Sequence, residues 1–306
     1  MTATPLSLED REREYSPSSC IGGDYAPHLQ AYATLSAAAL EDYTAQRDLA
    51  YGGKASNRLD LFLPLPDSSR GTPNDTATPA GASTLPPLLV FIHGGYWQEL
   101  SKDSSLFAAS GCIQSGIAFA AIDYTLAPQA SIFEIALECR QALRWLYEHG
   151  RALGFDPTHI VVAGSSAGAH LAVMACLRGW AGDSDLPSGL PAGAVLVSGI
   201  YDLAPLVGTS INTALGLTAQ TAALVSPQRM DLQRFPPSIV CWGEVETGEF
   251  KRQSGDFAAR IASAATAAPQ LTVFEVSERN HFDVILNLTN AGTRLGRATL
   301  GMLQRL

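Results

Sequence analysis

The sequence predicts an α/β fold, a mostly parallel sheet with helices on both faces. Three observations carry this. Short apolar runs such as LLVFIH (88–93), IAFAAIDY (117–124) and HIVVAG (159–164) alternate with longer segments of helical period. The runs are continuously apolar, as strands buried on both faces of a parallel sheet require. One of them hands over to a helix through GSSAG (164–168), a tight turn rich in glycine.

In chain order, HLQAYATLSAAALEDYTAQRDLA (28–50) is alanine-rich with near-helical apolar spacing and reads as a helix. RLDLFL (58–63) reads as a strand. The following segment, about 65–87, is dense in Pro, Ser, Thr, Gly and Asp and reads as a long flexible loop. Next come a strand at 88–93, a helix at 104–115, a strand at 117–124 and a long helix at 131–154. A strand at 159–164 is followed by a helix at 167–180. GAVLVSGIYD (193–202) and PSIVCWG (237–243) read as strands, with a helix over about 249–265. LTVFEVS (271–277) is the last strand, and the last helix spans about 288–304. Right-handed crossovers make this a doubly wound sandwich. The expectation is one domain over residues 1–306, with 203–236 breaking the rhythm where a cap over one end of the sheet would sit.

Composition narrows the function. The 306 residues are 46% hydrophobic and 16% charged, enough for a substantial core. A formal net charge of −9 offers no basic surface for nucleic acid or an anionic membrane, so a small-molecule substrate is the expected partner. Oligomeric state is left open, a homodimer included. Cys20, Cys112, Cys139, Cys176 and Cys241 are odd in number, scattered and without zinc spacing, which suits buried free thiols in a reducing compartment. The polar, acidic N-terminus lacks the pattern of a signal peptide, and no run approaches the ~18 apolar residues of a membrane span. The expected location is the cytoplasm.

In open parallel sheets, sites form beyond the carboxyl ends of the strands. Four such loops carry unusual residues. Gly164-Ser165-Ser166-Ala167-Gly168 is a G-x-S-x-G pattern between a strand and a helix, which would expose Ser166 as a nucleophile at a helix N-terminus. The plainer alternative is Ser166 as a helix N-cap. His93-Gly94-Gly95-Tyr96-Trp97 can present the backbone N–H groups of Gly94 and Gly95, with that of Ala167, to an oxyanion. His93 reads as structural; Tyr96 and Trp97 either line the pocket or pack under the loop. A serine needs an imidazole to take its proton and a carboxylate to orient that imidazole. His281 is the only histidine after the serine apart from His170, which lies on the helix after the turn, so His281 is the base by elimination. Glu244, Glu246, Glu249 and Asp283 are the candidate acids. Asp283 is a near neighbour of His281 and poorly placed, and spacing does not separate the three glutamates.

The chain resembles the arylformamidases (kynurenine formamidases) of the α/β-hydrolase superfamily along nearly its whole length. The motifs that carry the resemblance are REYSPSS, NRLDLFLP, FIHGGYWQELSKDSS, AGSSAGAHLA, VSGIYDLAPLVGTSIN, EFKRQS and NHFDVILNLT. The resemblance implies an α/β-hydrolase fold with Ser166 as nucleophile, His281 as base and Glu246 as acid, with no metal or organic cofactor. Two departures stand out: animal members have aspartate where Glu246 stands, and G-H-S-A-G where this chain has Ser165 in place of the histidine. Ser165, Ser210 and Asn212 become candidate substrate contacts, with turn duty the alternative for the last two. The activity implied is hydrolysis of N-formyl-kynurenine to kynurenine and formate. A carboxylesterase or an aryl-amide or carbamate hydrolase would use the same triad. A noncatalytic binding protein of this fold would more commonly have lost the serine or the histidine.

Overall fold

The computed structural model describes residues 6–65, 85–182, 186–264 and 270–305. Eight strands among them form one sheet: β1 (Ala45–Ala50), β2 (Arg58–Phe62), β3 (Leu88–Ile92), β4 (Ala118–Ile122), β5 (Ile160–Ser165), β6 (Gly193–Val197), β7 (Ser238–Val245) and β8 (Leu271–Asn280). The order across the sheet is β1-β2-β4-β3-β5-β6-β7-β8. The β1–β2 and β2–β4 pairs are antiparallel and the rest parallel. The helices are α1 (Leu8–Glu14), α2 (Ala26–Asp42), α3 (Ala109–Gln114), α4 (Ile132–Leu153), α5 (Ala167–Cys176), α6 (Asn212–Leu215), α7 (Ala219–Leu224), α8 (Gly248–Ala264) and α9 (Arg294–Arg305). None is long and apolar enough to cross a membrane.

The apolar runs form strands because both of their faces are buried. Leu88, Val90 and Ile92 of β3 join a core under α4, α5 and α8, while Leu89 and Phe91 point to the opposite core under α2, α3 and α9. β4 and β5 divide the same way, Ile160 and Val162 to one side and Val161 and Ala163 to the other. Helix α4 starts at a capping box in which Ser131 and Glu134 satisfy each other's backbone N–H.

Several expected boundaries move. The helix expected over 28–50 ends at Asp42, where Tyr43 turns extended, and 45–50 is the edge strand β1. Its residues Gln46, Arg47 and Asp48 are exposed and polar, so no apolar period marks the change from helix to strand. A register shift bulges β1 at Asp48, whose N–H donates to buried Asp60. The strand expected over 193–202 stops at Val197, since Ser198 adopts φ +51° and breaks the ladder. The last helix begins at Arg294, because 288–293 form a turn in which Asn290 and Thr293 hold backbone groups. Most of the 65–87 segment lies outside the described residues. Segment 203–236 holds α6, α7 and two short 3₁₀ turns, and its Ser210 and Ile211 reach the cavity described next.

Candidate active site

Ser166 stands between β5 and α5 at φ 57°, ψ −122°, a conformation that a non-glycine residue holds only when its surroundings over-determine it. The glycines on either side make room. A Cβ on Gly164 would lie 2.2 Å from the Gly168 carbonyl oxygen, and one on Gly168 would lie 2.1 Å from that of Ile92. Strand, turn and helix thus touch backbone to backbone. Gly168→Ala is expected to destabilise the fold by about 1–3 kcal/mol through overpacking, read as a lower urea midpoint. Although Ser166 occupies the N-cap position, its side chain makes no cap bond, so the hydroxyl is not spent on the helix. Its backbone N–H donates to the Val197 carbonyl (2.9 Å), and the residue lines a cavity of about 290 Å³.

The loop after β3 sits against this turn. A Cβ on Gly94 would come 3.3 Å from the Ser166 Cβ. Gly95, Tyr96, Trp97 and Leu100 all have positive φ, and Gly95 accepts hydrogen bonds from the Gln98 and Glu99 N–H groups. The N–H groups of Gly94, Gly95 and Ala167 donate to no acceptor among the described residues, which leaves three donors beside Ser166. His93 braces the loop from beneath. Its ring stacks on Tyr124 (centroids 4.2 Å apart), and its Nδ1 lies 3.0 Å from the Gly94 carbonyl and 3.1 Å from the Tyr124 hydroxyl. Burial lowers its pKa to about 4. Trp97 is fully buried beneath the loop, edge-on to His170, and does not reach the cavity. His170, its pKa also lowered to about 4 by burial, lies 2.7 Å from the Val225 carbonyl through Nε2.

β7 and β8 deliver the carboxylate and the imidazole. Glu246 follows the end of β7 and His281 the end of β8, and Glu246 Oε2 lies 2.9 Å from His281 Nδ1. The other glutamate oxygen, Oε1, accepts from Ser198 Oγ (2.6 Å) and the Gly243 N–H (2.5 Å). The remaining candidate acids are engaged elsewhere. Glu244 accepts from the Glu278 N–H, Glu249 from Tyr15 and Arg252, and Asp283 from the Asn280 N–H. His281 lines the same cavity as Ser166, though no hydrogen bond joins the two in this structure; such bonds often tighten only around substrate.

The cavity wall includes residues for which the motifs predict no contact with substrate. Tyr25, Tyr32, Phe107 and Phe282 give it an aromatic side, with Tyr25 stacked on Phe282 at 5.3 Å. The segment from Glu12 to Ser18 closes another side. It is held there by Arg11 to the Pro205 and Val207 carbonyls, Ser210 to Glu12, Thr247 to the Glu14 carbonyl, and Tyr96 to the Tyr15 carbonyl. Of the candidate contacts, Ser165, Tyr96 and Ser210 line the cavity. Asn212 does not, because its side-chain amide bridges the N–H and carbonyl of Leu217. The contacts that hold the 12–18 segment span 81 to 233 residues of sequence, so no local pattern reveals them.

A serine on a strained strand-to-helix turn, at the carboxyl edge of this sheet, defines an α/β-hydrolase, an enzyme that hydrolyses amide or ester bonds. Comparison with known proteins agrees. The BD-FAE family model matches residues 75–188. Kynurenine formamidase of Danio rerio is 30% identical and that of Salmo salar 31%, each over 97% of this chain and 97% of the relative. The chain belongs to the kynurenine formamidase family. A solved esterase from the archaeon Pyrobaculum calidifontis, 17% identical, superposes with a TM-score of 0.66 over 98% of this chain and 99% of that one, a likeness of fold.

Proposed function

We propose that this enzyme hydrolyses an aryl formamide, N-formyl-kynurenine to kynurenine and formate, with Ser166, His281 and Glu246 as its triad. The observation that carries the reading is the 2.9 Å contact of Glu246 with His281, which lines one cavity together with the strained, uncapped Ser166. Ser166 Oγ attacks the formyl carbon while His281 Nε2 takes its proton, and Glu246 holds the ring and balances its charge. The oxyanion that forms is met by the N–H groups of Gly94, Gly95 and Ala167. When the C–N bond breaks, His281 returns the proton to the leaving arylamine. Water, deprotonated by His281, then attacks the formyl ester and releases formate and Ser166.

Two properties of the cavity support this substrate. Its aromatic side fits an aryl ring. Glu12 and Glu99 are in its wall and no Lys or Arg is, among the described residues, which favours a substrate whose ammonium group faces that side. One catalytic domain in the cytoplasm completes the proposal, in keeping with the five free cysteines.

The test is kcat/KM for N-formyl-kynurenine beside p-nitrophenyl acetate and butyrate. A preference for the formamide of roughly 100-fold or more is expected, since a site built for a polar group discriminates strongly against substrates lacking it. Good turnover of both esters with a barely hydrolysed formamide would make the enzyme a carboxylesterase.

A further inference from the structure

Ser198, in the VSGIYDLAPLVGTSIN stretch, is given no role by the motifs considered above, and it is fully buried. It follows the last residue of β6 at φ +51°, a left-handed conformation that is uncommon for serine. The neighbouring strand fixes it, since its N–H donates to the Cys241 carbonyl of β7 at 2.8 Å. Held in this way, its hydroxyl donates to Glu246 Oε1 at 2.6 Å. The Gly243 N–H reaches the same oxygen from the other strand. Here too glycine is required, because a Cβ on Gly243 would lie 2.3 Å from the Arg279 carbonyl oxygen and 3.1 Å from Glu246 Oε1. One carboxylate oxygen is therefore anchored by two donors from two strands, and the other is left to face His281 Nδ1.

A glutamate has one more rotatable bond than an aspartate, so its carboxylate sweeps a wider arc unless something holds it. We infer that Ser198 is a positioning residue that acts through Glu246, locking the longer acid in the rotamer that orients His281. This rests on the Ser166–His281–Glu246 reading above. The hydroxyl touches neither substrate nor the reacting atoms. Its contribution is confined to how well the imidazole is aimed when charge develops on it, so it bears on kcat and not on substrate affinity.

The experiment is a double-mutant cycle on p-nitrophenyl acetate with the parent, Ser198→Ala, Glu246→Gln and the double variant, folding of each being checked by thermal melting. Ser198→Gly is run in parallel, since glycine accepts the positive φ and removes only the hydroxyl. Ser198→Ala and Ser198→Gly are expected to lower kcat roughly 10- to 100-fold, the worth of a hydrogen bond to a charged group, with KM within about twofold. In the Glu246→Gln background the same change is expected to cost less than about twofold, because the carboxylate it serves is gone. An equal loss in both backgrounds would assign Ser198 a merely structural role and overturn the proposal. So would unaltered kcat in both serine variants beside an impaired Glu246→Gln. A Glu246→Gln enzyme as active as the parent would overturn the triad reading itself, and the proposal with it.

Discussion

Ser166→Ala is expected to lower kcat/KM for N-formyl-kynurenine by roughly 10⁴- to 10⁶-fold, the range seen when a triad nucleophile is removed. The residue left behind cannot form the acyl intermediate, so the remaining rate comes from the N–H donors of Gly94, Gly95 and Ala167 acting on direct attack by water. Substrate binding is expected to survive, because the aromatic side of the cavity does not depend on Ser166. The informative control is its neighbour. Ser165 also lines the cavity, yet it is the last residue of β5 and pairs with Val197 of β6. Ser165→Ala is expected to lose less than about tenfold, within the range of a single altered pocket contact. Progress curves with enzyme in excess of substrate separate the two. A Ser166→Ala protein that keeps a hundredth of the parent rate would remove Ser166 from the chemistry.

Acid is expected to destabilise the fold between about pH 6.5 and pH 4, through histidines buried in the neutral state. His170 is fully buried; its Nε2 lies against the Val225 carbonyl, while Nδ1 has no partner and no compensation for a charge. Its folded pKa of about 4 lies below the ordinary value of 6.5. The unfolded chain therefore takes up this proton first as pH falls. The stability contribution is complete above about pH 6.5 and is lost progressively toward pH 4, amounting to about 3 kcal/mol by then. His93, its pKa lowered to about 4 by burial, titrates in the same sense. Asp123 works in the opposite direction. Burial raises its pKa to about 6, so it favours the fold when protonated and penalises it as pH rises through that value. Urea midpoints at pH 8, 6 and 4.5 test this. His170→Gln, which keeps a donor for Val225 and removes the titration, is expected to flatten the profile; an equally steep fall in that variant would assign the effect to other groups.

How much of this was legible in the sequence follows from where each residue sits. Strands β3 to β7 were recognisable because their two-sided burial demands uninterrupted apolar runs. Edge strand β1 escaped because one flank meets water and its residues carry no such demand. The turn at Ser166 is a local object, five consecutive residues of which four are glycine or serine, and its chemistry is written there. The choice among Glu244, Glu246, Glu249 and Asp283 was not local. It turns on which carboxylate the bulged end of β7 aims at His281, and on Ser198, Tyr15, Arg252 and the Glu278 and Asn280 amides, which engage the candidates in different ways. Ser198 lies in VSGIYDLAPLVGTSIN, a stretch that carries the resemblance, but nothing local ties it to a carboxylate 48 residues further on. REYSPSS (13–19) carried part of the resemblance, but its place in the cavity wall could not be read from it, since the wall exists only through tertiary contacts.

That wall ties residues 11–14 to residues 205–247, far along the chain. Arg11 reaches Pro205 across 194 residues, Glu12 reaches Ser210 across 198, and Thr247 reaches Glu14 across 233. During synthesis at about 5–20 residues per second, the N-terminal turns emerge roughly 10–50 s before their partners do. Throughout that interval α1 has nothing to dock on, and the pocket lacks a side. The nascent chain therefore carries its nucleophile well before it has a completed chamber around it, and hydrolytic competence arrives late, once the 11–14 segment meets residues 205–247.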